Sequence, residues 1–326
     1  MIKEDNCNLE KINSKKDLPL VSILLAVYKP NETWFVEQLI SLNNQTYDNI
    51  ELLIYDDCPD YPVDEELIKK HIINFTYNLI RGTKNEGSNK AFEHLTKQGN
   101  GEFFSYCDQD DIWEINKIES LVKLIRSENS VLAYSDMSVI DGDGNHIADS
   151  LIKVKSRIKY IYGENLFSSF FFKNCVSGCC MLINSKIAKK AVPFSRVTIH
   201  DQWLCIVSGW YGKISFVDKP LVKYRIHENN QTGSFKGVYS KKDYYNLRVN
   251  ILQQRIDDVK RCINGMDLNS DNIDLTHIEI FCDARINKNI LKILKYSYLD
   301  KKEAYFEIII KYMPNWLFKI LIKKLK

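Results

Sequence analysis

The chain has 326 residues, of which 45% are hydrophobic and 27% charged, and this ordinary globular composition predicts a large core in one main domain with an addition. The formal net charge of +3 is too small to indicate a nucleic-acid partner, and the motif-bearing region has no basic block with interleaved aromatic residues. The nine cysteines include no CxxC pair, so they fit neither a zinc ribbon nor a secreted disulfide framework.

The cysteines and the N-terminal segment indicate a cytoplasmic protein. Cys175, Cys179 and Cys180 lie close together, but they lack the nearby His or Cys partners of a metal cluster, so we interpret them as buried free thiols. The N-terminal segment is charged and has no apolar signal core. No uninterrupted run of about 18 apolar residues predicts a membrane span.

Strands and helices alternate after a polar segment at residues 1–17. Asn31 is placed to cap a helix that continues through Asn44, and a second helix is expected from Asn85–Gly87 to about Lys97. Near-continuous apolar runs indicate strands, the first of them buried on both faces. The predicted strands are Val21–Tyr28, Ile50–Tyr55 and Tyr77–Ile80. This alternation predicts an α/β fold with a parallel sheet, and ligands bind at the carboxyl ends of such strands.

A further apolar run, Phe103–Tyr106, is followed by three carboxylates, Asp108, Asp110 and Asp111. Carboxylates this close repel one another and are costly to bury, and a bound cation removes that penalty. Their hard oxygen ligands suit Mg²⁺ or Mn²⁺, and Mg²⁺ usually takes further ligands from substrate phosphates. The segment therefore indicates a metal-bridged phosphorylated substrate at a strand end. The alternative is an acidic, solvated loop that caps the next helix.

Other chemical motifs are missing. Asp141–Asn145 begins like a calcium loop, but His146 and Ile152 occupy the positions that require glycine and glutamate. We therefore predict a hairpin turn between Val131–Val139 and His146–Ala148. The chain has no GxxxxGK[ST], GxGxxG or GxSxG motif, which disfavours ATPases and dinucleotide enzymes and leaves no serine-nucleophile elbow.

The ordered motifs resemble an inverting glycosyltransferase of family 2, which has the GT-A fold. They are VSILLAVYKPNE, SLNNQTYDNIELLIYDDCPD, NEG, FFSYCDQDDIW, HDQW and YRIHENN, and they span roughly Leu20 to Gly233. The form DQDDIW resembles bacterial rhamnosyltransferase-like members in particular. One departure is that Cys58-Pro59-Asp60 follows the second strand, where the family often has Gly-Ser. Proline stiffens this loop and removes one amide donor.

The resemblance implies a nucleoside-diphosphate sugar as donor. Its base and ribose are expected against the end of the first strand, near Ala26 and Tyr28. Asp57 matches a family aspartate that bonds the pyrimidine ring, although it is also placed to cap a turn. Asn85 and Gly87 match a family loop beside the nucleotide, and Gly87 is equally suited to a turn that needs positive φ.

The same resemblance implies a metal site at the acidic segment. Asp108 and Asp110 match the acidic pair of the GT-A metal motif, with Asp110 as the first choice for direct coordination and Asp108 nearer the ribose and the ion. His227 matches a late histidine that completes the metal or pyrophosphate site. The expected cofactor is Mn²⁺ or Mg²⁺, which neutralises the diphosphate leaving group. Arg225 suits either a phosphate contact or an internal ion pair, and Trp113 is interpreted as a packing residue.

Inversion needs a base on the acceptor hydroxyl, on the face opposite the leaving group. Asp201 in HDQW matches the family's catalytic carboxylate. Its alternative role is the N-cap of a helix over Gln202–Ser208, and the two roles are compatible. Gly178 matches a glycine-containing loop that lines the donor sugar and acceptor, where it lets the backbone approach closely. His200 is interpreted as a neighbour without a catalytic role.

The chain beyond Lys236 predicts helices, with a polar loop around Asn264–Asn272. The expected organisation is a polar tail at 1–17, a GT-A domain with a Rossmann-like, mostly parallel sheet flanked by helices at 18–235, and a helical extension at 236–326. In the last segment, 315–326, a wide apolar arc lies opposite the basic side formed by Lys319, Lys323 and Lys326. This pattern suits a membrane-surface helix over anionic lipid. An ordinary helix docked on the core is the alternative.

These features predict a metal-dependent inverting glycosyltransferase that moves a sugar from a nucleoside-diphosphate sugar to a glycan or lipid-linked acceptor in bacterial surface polysaccharide synthesis. The predicted location is cytoplasmic, with peripheral contact at the inner face of the membrane if segment 315–326 binds lipid. A sugar-phosphate nucleotidyltransferase is disfavoured because Lys29–Glu32 is not a glycine-rich basic loop. A catalytically inactive GT-A-like binding or scaffold protein is disfavoured by Asp110, Asp201 and His227.

Overall fold

The structure is a computed structural model that describes residues 18–228, 237–263 and 275–325. Several predictions concern residues outside this description, namely those on the tail 1–17, Asn229–Asn230, the loop Asn264–Asn272 and Lys326. The predicted domain boundary between residues 235 and 236 stays a prediction, because residues 229–236 are not described.

The chain divides into two compact units, and the division is not a single cut in the sequence. The first unit comprises the chain up to Leu166 with Asn174–Phe194 and His200–Ile226. The second comprises Phe167–Lys173, Ser195–Ile199 and the chain from His227 onward. Two short segments that precede the helical extension in sequence therefore belong to the same unit as that extension.

One nine-stranded sheet forms the frame of the first unit. Its strands are β1 (Val21–Val27), β2 (Ile50–Asp56), β3 (Thr76–Arg81), β4 (Phe103–Cys107), β5 (Ile112–Trp113), β6 (Leu132–Ile140), β7 (His146–Ala148), β8 (Met181–Asn184) and β9 (Ile214–Arg225). They lie in the order β3-β2-β1-β4-β8-β6-β9-β5, with β7 paired to β6. Strands β3, β2, β1 and β4 are parallel neighbours, and so are β6 and β9. The remaining pairs are antiparallel and short, so the sheet is mixed, with its longest registers in the parallel pairs.

The parallel part of the sheet is the part that positions the candidate site. Every residue of β4 and nearly every residue of β1 is buried, which confirms the prediction of central strands covered on both faces. In the register of β1 with its neighbours, Val27 lies opposite Asp56 and Leu25 lies opposite Cys107. The carboxyl ends of β1, β2 and β4 therefore meet at one edge of the sheet.

The helices of the first unit include the three that the sequence predicts. They are Glu32–Asn43, Glu65–His71, Ser88–Gln98, Lys117–Ser127, Leu151–Val154, Ser185–Lys190 and His200–Tyr211, with one 3₁₀ turn at Gly178–Cys180. The side-chain oxygen of Asn31 accepts a hydrogen bond from the Trp34 amide at 3.2 Å, which confirms the predicted N-cap. The helix that contains Asp201 starts at His200, two residues earlier than predicted.

The hairpin between β6 and β7 explains the segment that begins like a calcium loop. The Asp141 carboxylate accepts the amides of Asp143 and Asn145 at 2.9 and 2.8 Å, which closes the turn on itself. Gly144 has φ of 84°, a conformation that favours glycine. The aspartate is thus used within the turn, as the hairpin prediction requires.

The second unit is helical, which confirms the predicted helical region at the C-terminal end. Its helices are Phe167–Phe172, Lys241–Tyr244, Ile251–Ile263, Leu275–Ile286, Ile290–Lys295, Lys301–Tyr312 and Asn315–Leu325, with a π-helical turn at Tyr245–Val249. Phe281, Ala284, Ile293 and Ala304 form a buried cluster. A buried ion pair between Arg285 and Glu307, at 2.7 Å, lies in the same unit.

The last helix, Asn315–Leu325, packs through one narrow side. Phe318 and Ile322 are buried, and the Phe318 ring lies 6.2 Å from the ring of Tyr244. Trp316 and Ile320 are exposed, so the helix docks within its own unit while part of its apolar arc faces solvent. Within the described ranges, no helix has the length and hydropathy needed to cross a membrane.

Candidate active site

The candidate site lies at the edge of the sheet where β1, β2 and β4 end. Tyr28, Asp57 and Asp108 each follow one of these strands by one residue, and Ala26 is the penultimate residue of β1. Tyr28 is 44% exposed and Ala26 is half-buried. The register of the strands therefore places these residues at the carboxyl edge of the sheet, where the sequence analysis expects a ligand to bind.

Asp57 fastens the neighbouring loop to the end of β2. Its carboxylate accepts the amide of Glu86 at 2.9 Å and the amide of Gly87 at 2.7 Å, and its side chain is buried. Gly87 has φ of 82°, so the turn needs glycine there, and Asn85 is exposed. The turn-closing role of Asp57 is thus present, and contacts of Asp57, Asn85 and Gly87 with a nucleotide stay predictions.

Gln109 ties the acidic segment to the end of β1. Its side-chain oxygen accepts the Tyr28 amide at 2.7 Å, and its side-chain nitrogen donates to the Tyr28 carbonyl at 3.1 Å. These two hydrogen bonds with the backbone hold the residues on either side of Gln109 close to the strand edge. The sequence analysis assigned no role to Gln109, because an amide between carboxylates carries no distinctive signal.

Two carboxylates and one thiol converge beside the end of β4. Ligand atoms of Asp108, Asp111 and Cys179 all lie within 4.8 Å of one another. Burial and the carboxylates of Asp111, Asp110 and Asp201 raise the pKa of Asp108 well above its ordinary value. Burial and the Asp110 carboxylate raise the pKa of Asp111 to about 7. Negative charge is therefore crowded at this point.

This cluster fits a divalent cation. Crowded carboxylates with raised pKa values are stabilised when a cation replaces their protons, and their oxygens suit Mg²⁺ or Mn²⁺. Cys179 would add a thiol ligand to the two carboxylates. The sequence analysis assigned Asp108 to the metal site, named Asp111 only as part of the acidic segment, and gave Cys179 no role in metal binding. Asp110 lies in the same segment outside the three-residue group, so its direct coordination stays a prediction.

Arg225 forms hydrogen bonds that hold the acidic segment in place. Its amide donates to the Asp111 carboxylate at 3.0 Å, and its Nε donates to the Asp110 carbonyl at 2.8 Å. The guanidinium also pairs with Glu37 and contacts the carbonyls of Asp141 and Gly142. Because Arg225 is only 1% exposed, the ion-pair alternative describes it and a phosphate contact does not.

Asp201 is a buried carboxylate in the first turn of the helix His200–Tyr211. It accepts hydrogen bonds from the Asn174 side chain at 2.9 Å and from the amides of Gln202 and Gly178. Burial raises its pKa from 3.8 to about 7, although these hydrogen bonds act in the opposite direction. A carboxylate with this pKa is suited to take a proton near neutral pH. Asn174 is another residue that the sequence analysis missed.

The predicted N-cap role of Asp201 belongs to another residue. The His200 amide donates to the Asn89 side chain at 2.7 Å, so Asn89 bonds the start of this helix from a distant part of the sequence. Asp201 lies inside the helix, where it is buried and not a solvent-exposed cap. Its burial therefore has a structural cost that capping does not explain.

His200 is a buried aromatic neighbour, as predicted. Its ring centroid lies 4.1 Å from that of Phe92 and 5.7 Å from that of Tyr106, and burial lowers its pKa to about 3. A Cβ atom on Gly178 would lie 2.4 Å from the Nε2 atom of His200. Glycine is therefore required at 178 by the packing of His200, while a role of this loop in lining substrate stays a prediction.

A buried lysine lies behind the acidic cluster. Lys117 donates to the Ser105 hydroxyl at 2.9 Å, and its Nζ lies 3.0 Å from the centroid of the Trp113 ring. Burial lowers the pKa of Lys117 to about 7, against an opposing influence of nearby thiols and of Asp111. Trp113 is 2% exposed, which confirms its packing role. Lys117 was not predicted, because a lysine near a helix start normally faces solvent.

His227 is half-exposed and follows β9 by two residues. The amide before it, that of Ile226, donates to the Ile140 carbonyl at 2.9 Å. The chain passes from the first unit to the second at this histidine. Its participation in a metal or pyrophosphate site stays a prediction.

The model of one protein family, described as "Glycosyl transferase family 2", matches residues 22–191, which is more than half of the chain. The chain belongs to glycosyl transferase family 2. The matched range contains β1 to β4, the acidic segment and Gly178, whereas Asp201 and His227 lie beyond it.

Two curated relatives in this family match at moderate identity. An uncharacterized glycosyltransferase of Methanocaldococcus jannaschii is 28% identical over 246 residues, which cover 71% of this chain and 79% of the relative. WfgD of Escherichia coli is 26% identical over 220 residues, which cover 65% of this chain and 79% of WfgD. WfgD is described as a UDP-Glc:α-D-GlcNAc-diphosphoundecaprenol β-1,3-glucosyltransferase.

The fold has a solved neighbour in the same structural class. TarS of S. aureus, solved in complex with UDP-GlcNAc, superposes with a TM-score of 0.56 at 18% identity, covering 82% of this chain and 71% of the TarS chain. At this identity the likeness concerns the fold alone. It confirms the GT-A architecture of a mixed sheet flanked by helices with a helical region after it.

Proposed function

We propose that this protein transfers a sugar from a nucleoside-diphosphate sugar to a hydroxyl group of a glycan or lipid-linked acceptor, with inversion at the anomeric carbon, in surface polysaccharide synthesis. The observation that carries the proposal is the pairing of two acidic features. One is the crowded cluster at the end of β4, and the other is Asp201, whose carboxylate is close enough to raise the pKa of Asp108. An inverting transferase needs both a site for a charged leaving group and a base.

In the proposed step, the acceptor oxygen attacks the anomeric carbon of the donor sugar. The acceptor O–H proton passes to the Asp201 carboxylate as the new C–O bond forms. The bond between the anomeric carbon and the phosphate oxygen breaks, and its electron pair leaves with the nucleoside diphosphate. The hydrogen bonds of Asn174 and Gly178 hold the Asp201 carboxylate in place, and burial keeps its pKa near the working pH.

The proposed divalent cation would be held by Asp108 and Asp111, with Cys179 as a third ligand and with Asp110 and His227 as the further predicted ligands. A bound Mn²⁺ or Mg²⁺ supplies charge neutralisation for the diphosphate that leaves. Arg225 and Gln109 contribute by positioning, because they fasten the acidic segment to β9 and β1. The donor base and ribose are proposed to lie along Ala26, Tyr28, Asp57, Asn85 and Gly87.

The relatives guide the choice of donor and acceptor. WfgD is named for a UDP-sugar donor and a diphosphoundecaprenol acceptor, and the TarS structure contains UDP-GlcNAc. We therefore propose a UDP-hexose as the first donor to test, with dTDP-rhamnose as the donor implied by the DQDDIW segment. The loop after β2 contains Pro59 in place of an amide donor, so the donor base is the least constrained part of this proposal.

A lipid-linked acceptor would require the enzyme to work at a membrane surface. We propose a cytoplasmic protein with peripheral contact through the helix Asn315–Leu325, whose Trp316, Leu317 and Ile320 are exposed beside Lys319 and Lys323. Truncating the chain after Met313 would be a poor test of this contact. It would also remove Phe318 and Ile322, each of which contributes roughly 1.5–3 kcal/mol by burial.

A panel of sugar nucleotides tests the proposal. The purified protein is incubated with each donor in the presence of Mn²⁺, Mg²⁺ or EDTA, and the phosphorylated product is identified. We expect metal-dependent release of a nucleoside diphosphate from one or two donors. A nucleotidyltransferase would instead consume a sugar phosphate and a nucleoside triphosphate and release pyrophosphate. A scaffold protein would bind a sugar nucleotide without turnover, and either result would contradict the proposal.

A further inference from the structure

The helical unit contains a basic cavity that the transfer reaction does not use. Its volume is about 510 Å³, and its lining includes Lys241, Lys242, Lys288, Tyr245 and Asn315. The other lining residues are two asparagines and one isoleucine. No carboxylate lines the cavity, so its charged groups are all of one sign, which favours an anionic ligand.

The three lysines are held in different ways. Lys241 Nζ donates to the carbonyls of Lys311 and Met313 at 3.3 and 2.7 Å, which fixes its charge beside the turn that precedes the last helix. Lys288 Nζ lies 4.1 Å from the centroid of the Tyr245 ring. Lys242 is exposed, and in the described part of the chain no carboxylate oxygen lies within 4 Å of the ammonium of Lys242 or Lys288. Two of the three charges are therefore available to a ligand.

The backbone around the cavity adds further donors. Asn315 is the first residue of an eleven-residue helix, and the first amides of a helix have no acceptor within it and carry partial positive charge. Lys288 is a non-glycine residue with φ of 54°, and its carbonyl accepts a hydrogen bond from Lys311 at 2.9 Å. Tyr245 begins the π-helical turn Tyr245–Val249, an irregularity that is common at functional sites. The wall is thus built from irregular backbone that brings lysines together.

The cavity adjoins the exposed apolar side of the last helix. Trp316 and Leu317 follow Asn315 directly, and they are 64% and 39% exposed, with Ile320 one turn further on. Tyr312, on the preceding helix, is also largely exposed. Large apolar side chains beside a basic cavity match the two parts of a phospholipid, whose charged head group is joined to acyl chains.

We infer that this cavity binds the phosphate of an anionic lipid head group while Trp316, Leu317 and Ile320 enter the membrane interface beside it. The inference rests on the proposed membrane contact of the last helix and adds a defined head-group site to it. It predicts that particular lysines, not the overall basic charge of the unit, determine binding. Residues 275–325 contain ten basic and five acidic residues, so the two explanations need separate tests.

The test compares two charge-matched variants of the full chain in co-sedimentation with vesicles. Lys242→Gln/Lys288→Gln removes two charges from the cavity. Lys301→Gln/Lys302→Gln removes two exposed charges from the far end of the helix Lys301–Tyr312, away from Lys311. The vesicles are phosphatidylcholine alone or phosphatidylcholine mixed with phosphatidylglycerol. Glycerol phosphate and inorganic phosphate serve as soluble probes of the same chemistry.

We expect the wild type to bind the anionic vesicles and the cavity variant to bind them about 30-fold more weakly, which corresponds to about 1 kcal/mol for each lysine. The Lys301/Lys302 variant should lose less than about threefold. Equal losses in the two variants would overturn the inference in favour of diffuse surface charge. The inference would also be overturned if the wild type did not bind anionic vesicles. Binding of soluble phosphate without vesicle binding would assign the cavity to a free phosphate ligand.

Two controls test the lipid site separately from the transfer activity and the apolar side chains separately from the lysines. Metal-dependent donor hydrolysis in solution should be the same in the cavity variant and the wild type, so a failure of the lipid site leaves the proposed transfer activity intact. Trp316→Ser/Leu317→Ser keeps the lysines and removes exposed apolar groups, and it should weaken vesicle binding without changing thermal stability. If that variant binds vesicles as tightly as the wild type, the apolar half of the inference is wrong.

Discussion

Asp201→Asn separates a catalytic role from a structural one, because the two roles predict opposite changes in stability and activity. The substitution keeps the shape of the side chain and removes a buried negative charge. The shift in the pKa of Asp201 from 3.8 to about 7 corresponds to about 4 kcal/mol against the ionised form. A residue kept only for structure would not be expected to carry such a cost.

The sign of the pH dependence follows from the direction of the shift. Between about pH 4 and pH 7 the folded protein binds a proton at Asp201 that the unfolded chain has released, so the stabilising contribution is complete below pH 4 and is lost as the pH rises through 7. The asparagine variant cannot show this loss. Its amide satisfies the donors of Asn174, Gln202 and Gly178 less well, at a cost of about 1 kcal/mol.

We therefore expect Asp201→Asn to be more stable than the wild type by about 3 kcal/mol at pH 8 and by less than about 1 kcal/mol at pH 5. Transfer should fall by roughly 10²–10⁴-fold, the usual contribution of a positioned general base, while donor affinity stays unchanged. In the wild type the transfer rate should rise with pH until Asp201 is ionised, near pH 7.

Urea unfolding at pH 5 and pH 8, donor binding by calorimetry and single-turnover transfer provide the measurements. Asp48→Asn is the matched control, since Asp48 is exposed and lies between the helix Glu32–Asn43 and β2. It should change neither stability nor rate. A variant of Asp201 that transfers sugar near the wild-type rate, or that loses stability at pH 8, would refute the assignment of Asp201 as a buried base.

Four further substitutions test the surroundings of this base. Asp110→Asn and Asp111→Asn should each abolish metal-dependent nucleotide binding and raise the stability of the metal-free protein, because each removes one of the crowded carboxylates. If calorimetry finds Mn²⁺-dependent binding intact in both variants, the acidic segment is not the metal site. Arg225→Lys keeps the charge but supports fewer hydrogen bonds, so the free energy of unfolding in urea should fall by about 2–3 kcal/mol. The Mn²⁺ concentration needed for nucleotide binding should also rise. If that concentration is unchanged, Arg225 does not position the acidic segment. Gly178→Ala forces its Cβ against His200 and should cost about 1–3 kcal/mol with reduced transfer, and full activity in that variant would show that the loop tolerates displacement.

The edge of the sheet was predictable from sequence because its determinants are local. Apolar runs end at or just before Tyr28, Asp57 and Asp108. Neighbouring parallel strands always have their carboxyl ends at the same edge of the sheet, so this placement does not depend on the rest of the fold. Asn31 likewise predicts the start of a helix, because an N-cap side chain bonds an amide only a few residues further along. Each of these inferences depends on neighbours within a few residues.

The residues that were missed depend on contacts across long stretches of sequence. Cys179 joins Asp108 and Asp111 only because β8 pairs with β4, and the spacing of the cysteines gives no hint of carboxylate partners. Asn174 reaches Asp201 across 27 positions in the sequence. A lone asparagine or a buried thiol has many ordinary explanations, so only the folded arrangement distinguishes these two.

The start of the helix His200–Tyr211 shows the same limit in another form. The sequence rule expects a cap within the helix's own segment, and Asp201 was the nearest polar candidate. In the structure Asn89 bonds the His200 amide from 111 positions away, which leaves Asp201 free of the capping role and buried among donors. A distant cap thus allows a carboxylate to serve another purpose at a helix start.

The stereochemistry of donor hydrolysis tests the central claim most directly, because it needs no knowledge of the acceptor. Water takes the place of the acceptor hydroxyl, and proton NMR follows the released sugar before its anomers equilibrate. With a donor that is turned over in the presence of Mn²⁺, we predict that the first anomer released has the configuration opposite to that of the donor. Asp201→Asn should release this sugar roughly 10²–10⁴-fold more slowly. Release of the anomer that matches the donor, or undiminished release by Asp201→Asn, would contradict an inverting transferase with Asp201 as its base.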